Sequence, residues 1–150
     1  MAFTLASCGG SLTDEQRKKL HEANDQQAIV KVTDAEITEA AFAKGRSVMV
    51  GLTSPNKADS LALAASVKIH WLQAGVTNSS EVEQQLMDAY INSVITGTAM
   101  RDNIQKVGTD SMLYTSVVVL TRQDSSVELK GTWNIWMSKK QLILSMNKRY

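Results

Sequence analysis

The chain carries one cysteine and two histidines, and their placement limits the covalent and metal chemistry open to it. Cys8 closes the run Leu5-Ala6-Ser7-Cys8 and is followed by Gly9-Gly10-Ser11. An aliphatic residue, two small residues and a cysteine read as a bacterial lipobox. Small side chains let an extended backbone approach a signal peptidase, and the thiol is the nucleophile that accepts a diacylglyceryl group. The glycines and serine behind it make a flexible tether. The expectation is a lipid anchor on Cys8, with residues 1–7 a signal-peptide remnant and residues 8–12 the tether. Residues 1–7 hold no Lys or Arg and are shorter than a secretory signal, whose apolar stretch alone runs to about 7–15 residues. The reading therefore carries with it a longer signal upstream. Its alternative is an ordinary cytosolic thiol near the chain end.

His21 and His70 lie far apart in sequence, in unlike surroundings. His21 sits in a polar stretch and reads as a solvated surface side chain. His70 shares an apolar stripe with Leu63 and Val67, so it is either a core histidine bonded to backbone or a ligand contact. Neither belongs to an H-E-x-x-H, no second cysteine is present, and no G-x-S-x-G occurs, so metal and nucleophile motifs are lacking. Asp34, Glu36 and Glu39 form an acidic group, in which Glu36 is explained by helix capping and the others by a solvated face. Phosphate-loop and dinucleotide patterns are absent. The aromatic set Tyr114, Trp133 and Trp136 is the remaining candidate, as the lining of a pocket between sheet and helices. Trp133 has core as its competing reading. Trp136 either packs beneath a helix or stays partly exposed for a ligand or partner.

The elements that must position these groups are marked by capping boxes. Thr13 with Gln16 opens a polar helix to about Ile29. Thr33 with Glu36 repeats the device, opening a second helix or lying within one long one. Apolar positions Val32, Ile37, Ala40, Ala41, Val48 and Leu52 carry the helical period to about Gly51. Pro55 then suits the start of another helix. Its stripes Leu61, Ala65, Ile69, Leu72 and Leu63, Val67, His70, Ala74 predict a buried helix that Gly75 ends. Ser80 with Glu83 opens the next, ending near Gly97.

After Gly108 the period changes to two. Residues 112–121 read as an inner strand, 123–126 as a turn, and 127–138 as an alternating strand. Val127, Leu129, Trp133, Ile135 and Met137 are expected on one face, with Glu128, Lys130, Thr132, Asn134 and Ser138 on the other. Ser138 with Gln141 opens a short terminal helix. Residues 103–107 form another strand or a linking turn. The expected fold is α+β: N-terminal helices, an antiparallel sheet and a short C-terminal helix.

At 150 residues the chain is expected to form one domain over 13–150, enough to bury about 70% of its unfolded surface. A net charge of +1 leaves no basic field for nucleic acid. No apolar run reaches the about 20 residues that span a bilayer.

The stretches "DNIQKVGTDSMLYTSVVVL" and "ELKGTWNIWMSKKQLILSM" resemble a family of bacterial exported sensor-like domains. In that family a helical part precedes a PAS-like sheet, and many members bind c-type haem. The resemblance covers about residues 102–146 and rests on packing motifs, chiefly the Gly131–Lys140 step from strand to helix. Members that hold haem attach it through C-x-x-C-H between the helices and the closing strands. That motif is lacking here, which excludes covalent c-type haem. The resemblance thus implies a cofactor-less sensory, ligand-binding or accessory module and not an enzyme. It would be anchored by lipid on the periplasmic side and contact a small ligand or an envelope protein. Gly9, in place of a retention aspartate, favours the outer membrane. Two alternatives remain: noncovalent haem on His70 and a methionine, and a structural protein that pairs through its N-terminal helix.

Overall fold

A computed structural model describes residues 13–30, 32–77 and 79–147, with side chains described for 13–23, 32–77 and 79–146. Cys8 and its tether lie outside the described residues. The chain divides into two units, residues 1–32 and 33–150. The first contains α1 (Asp14–Val30). Its cap is reciprocal: Gln16 N–H donates to Thr13 Oγ1 at 3.3 Å, and Thr13 N–H donates to Gln16 Oε1 at 3.1 Å. All described side chains of α1 are exposed.

The second unit is an α+β fold. It comprises α2 (Asp34–Gly51), α3 (Ala58–Ala65), β1 (Lys68–Gln73), α4 (Glu81–Thr96), β2 (Asn103–Val107), β3 (Ser111–Thr121), β4 (Val127–Ser138) and α5 (Lys139–Asn147). Thr33 caps α2 in a complete capping box with Glu36, so the second box opens a separate helix. Ile37, Ala41, Gly45 and Val48 form its buried stripe, spaced to meet one surface.

The four strands form one antiparallel sheet in the order β1-β4-β3-β2. Strand alternation and register assign each side chain to a face. Tyr114 opposes Ile135, and Ile135 opposes Ile69. This face meets α2, where Phe42 packs edge-on against Tyr114 at 5.8 Å. Gly45 lies so close beneath that ring that a Cβ would overlap it. Leu113, Thr115, Asn134 and Leu72 occupy the other face, which α4 covers with Met87 and Tyr90. Leu113 and Ile135 are fully buried, each contributing about 1.5–3 kcal/mol.

Two expectations are corrected. The helix expected from Pro55 to Gly75 stops at Ala65, where Ser66 turns left-handed (φ 55°) and Val67 N–H bonds Ala62 C=O at 2.9 Å. The chain then runs on as β1, so His70 is a strand residue. Pairing with β4 decides this: Ile69, Trp71 and Val67 are β-formers, and the strand gains a full ladder from Lys68↔Trp136 to Gln73↔Gly131. The second correction concerns β4. A bulge sets Val118 opposite Gly131 but Val119 opposite Leu129, leaving Lys130 as the extra residue. The alternation resets there, so Val127 and Leu129 lie on the opposite face from Trp133, Ile135 and Met137. On the polar face of β4, Thr132 and Asn134 are buried.

Candidate functional site

Each face of the sheet carries a distinct constellation. On the α2 face, Trp71 and Trp133 are cross-strand partners, with ring centroids 4.9 Å apart and planes tilted by 51°. Gly131 makes this possible: a Cβ there would strike the Trp71 ring and the Leu72 carbonyl. The indoles form one wall of an open groove of about 600 Å³, closed by Ile69, Val118, Leu52 and Pro55. Thr53 and Ser54 supply hydroxyls, and none of the lining residues is ionisable. Trp71 remains 36% exposed, a large apolar surface left open to solvent.

On the α4 face lies a buried carboxylate. Ser80 Oγ accepts from the Glu83 N–H at 3.3 Å as the N-cap. The Glu83 side chain does not return to the cap. It is 2% exposed, and its oxygens accept from Trp136 Nε1–H at 2.6 Å and sit 3.0 Å from His70 Nδ1. The His70 side chain is 45% exposed, so its ring bridges the buried acid to solvent. Beside these, Thr115 Oγ1 donates to Asn134 Oδ1 and Asn134 Nδ2 donates to Thr132 Oγ1, both at 3.0 Å. The face under α4 therefore sets these polar side chains beside the apolar Leu72 and Leu113, and no buried side-chain N or O among the described residues lacks a partner.

A third cluster ties α2 to the segment before β2. Asp102 accepts from Arg46 Nε at 2.9 Å and from the Tyr114 hydroxyl at 2.8 Å, while the Arg46 guanidinium lies 4.1 Å above the Phe42 ring. The Arg46 hydrogen bond holds the Asp102 carboxyl below its ordinary range, with Tyr114 assisting and burial opposing. Burial, followed by the Asp102 contact, raises the Tyr114 phenol well above its usual range.

The aromatic set expected to share a pocket is thus divided. Trp133 lines the groove, Tyr114 is core at 2% exposure, and Trp136 and His70 belong to the opposite face. Trp136 bonds to α4 and stays half-buried, bordering a second hollow with Lys68, Asp110 and Ser138. Trp71 and Glu83 were the missed residues. Strict alternation through Val67, Ile69 and Trp71 was the signal for the first. For Glu83, the cap pattern Ser80-x-x-Glu83 masked a tertiary role.

The acidic group at Asp34 resolves into a cap on Glu36 and ion pairs from Asp34 to Lys139 (3.2 Å) and Lys106 (4.0 Å). No set of three or more His, Cys, Asp and Glu side chains converges as a metal site among the described residues. No helix among them is long and apolar enough to cross a membrane. Comparison of the chain with protein-family models, with curated proteins and with solved structures finds no match.

Proposed function

We propose that the protein is a lipid-anchored binding module facing the periplasm, without catalysis of its own. Its ligand would be a small uncharged molecule with a flat apolar face, held in the Trp71–Trp133 groove. The observation that carries this reading is the groove itself: two adjacent indoles, one of them substantially open to solvent, over a wall without ionisable groups. Indole rings offer a large contact area at little entropic cost. A charged ligand would lose its hydration there without gaining a partner, whereas Thr53 and Ser54 can orient a neutral one. Envelope placement rests on the lipobox ending at Cys8. His70, the residue for the noncovalent haem alternative, lies on the far face of the sheet, so the groove gives that reading no support.

Ligand-observed NMR with uncharged aromatic and cyclic fragments tests the groove. Binding that is lost in both Trp71→Ala and Trp133→Ala, and kept in His70→Ala, is the expected result. Absence of any hit, or hits indifferent to both tryptophans, would sink the reading. Intact mass of the membrane-extracted product of the complete gene tests the anchor. A product beginning at Cys8 and carrying diacylglyceryl and acyl groups supports it, and an unmodified product retaining Met1 excludes it.

A further inference from the structure

The β3–β4 hairpin outgrows the sheet that contains it. β2 pairs with β3 only from Ser111 to Thr115, and β1 pairs with β4 only from Gly131 to Trp136. Residues Val119–Thr121 and Val127–Leu129 therefore pair with each other but, among the described residues, with no strand on either outer edge. This two-stranded tip is apolar and open: Val119 is 38% exposed, Leu120 47% and Val127 38%. Isolated ribbons of this kind are marginal in water, and their free edges are templates for further pairing.

The two edges differ in charge. The β4 edge carries Glu128 and Lys130, and Glu128 pairs with Lys130 at 3.4 Å and with Arg122 at 2.8 Å. The β3 edge, Ser116-Val117-Val118-Val119-Leu120-Thr121, has no charge and no proline, the devices that ordinarily block edge pairing. Antiparallel pairing of this segment with itself about a two-fold axis through Val119 sets Val119 against Val119, Val118 against Leu120, and Val117 against Thr121, each pair on one face of the sheet. Apolar residues meet apolar ones over Val118–Leu120, and no like charges are opposed, as an isologous contact requires.

We propose that the β3 edge at the hairpin tip is a self-association surface, joining two copies of this chain through an intermolecular antiparallel pair. The partner is a second copy because the edge is neutral and self-complementary, whereas a charged partner would find its counterpart on the β4 edge.

Sedimentation of the full chain over a range of concentrations is the test. A monomer–dimer equilibrium is expected, at least tenfold weaker in Val119→Lys and little changed in Val127→Lys, which matches it in exposure but lies on the other strand. Amide hydrogen exchange on the unmodified chain provides a readout independent of the variants. Protection at residues 117–121 should rise with protein concentration while protection in β1 does not. A monomer at every concentration overturns the proposal, whether the tip is bare or covered by another part of the same chain. A dimer indifferent to Val119→Lys, or exchange at 117–121 independent of concentration, overturns it equally.

Discussion

Trp136 donates its indole N–H to a carboxylate oxygen of Glu83 across 2.6 Å, joining β4 to the first turn of α4. Because Glu83 is almost wholly buried, this bond and the 3.0 Å contact with His70 Nδ1 are what make its burial tolerable. Replacing Trp136 by Phe keeps most of the apolar area but removes a donor from a buried acid. A loss of about 1–3 kcal/mol is expected, read by urea denaturation. Pairing the change with Glu83→Gln in a double-mutant cycle should show clear non-additivity. Additive behaviour would mean the bond contributes nothing beyond its neighbours.

Gly45→Ala tests the contact between α2 and Tyr114. The added methyl would enter the space of a ring that is itself pinned by Asp102. Overpacking of this kind costs about 1–3 kcal/mol, although alanine is the better helix former by about 1 kcal/mol. A net fall in thermal midpoint is expected. An unchanged or raised midpoint would show that α2 can shift away from the sheet at little cost.

Acid should act through Asp102. Its folded carboxyl titrates below the ordinary range, whereas in the unfolded chain it titrates near about 3.9. The stabilisation is complete above that unfolded value and is lost as pH falls through the folded one. Asp102→Asn should lower stability at neutral pH and flatten the acid limb of the stability–pH curve. Parallel curves for the two proteins would contradict this.

Alkali should act through the buried phenols. Burial, with the nearby Asp102 charge, raises Tyr90 to about 12, and Tyr114 is raised further. For an acid whose folded pKa is raised, the stabilisation is present below the unfolded value of about 10 and is lost as pH rises through the folded one. Ultraviolet titration should therefore show delayed tyrosinate formation, followed by alkaline unfolding. Tyr90→Phe should remove part of the delay and, by losing the bond to Arg101 C=O (2.8 Å), cost about 0.5–1.5 kcal/mol at neutral pH.

The tilted Trp71–Trp133 pair should give an exciton couplet in the far-ultraviolet circular dichroism spectrum. Trp71→Phe and Trp133→Phe should each abolish it, whereas Trp136→Phe should leave it in place.

Local chemistry made much of the fold legible. The box at Thr13 marks a helix start because its partner lies three residues away. The box at Thr33 is equally compatible with one long helix, and only the structure separates α1 from α2. The β3–β4 hairpin was legible because its turn and alternation are contiguous. What escaped depends on distant partners. The stretch 61–74 satisfies a helical and an extended period equally, and the choice rests on a ladder with β4 that no window around it contains. The face reversal of Val127 and Leu129 needs a bulge opposite Val118 and Val119, and nothing at Lys130 itself announces one. Of the candidate groove, Trp133 was read from β4. Trp71 was hidden by the mistaken helix, and so was the pairing that places the two indoles side by side.

The hydrogen bonds to Glu83 beneath α4 have one more consequence. A helix seated on an oily surface can slide or rotate by a turn and still bury its stripe, because apolar contacts have no direction. α4 has no such freedom. Moving it one turn, about 5.4 Å, would leave the Glu83 acid inside the protein without the indole and imidazole that satisfy it. The hydrogen bonds act as an index, permitting one seating of the helix on the sheet and penalising its near neighbours.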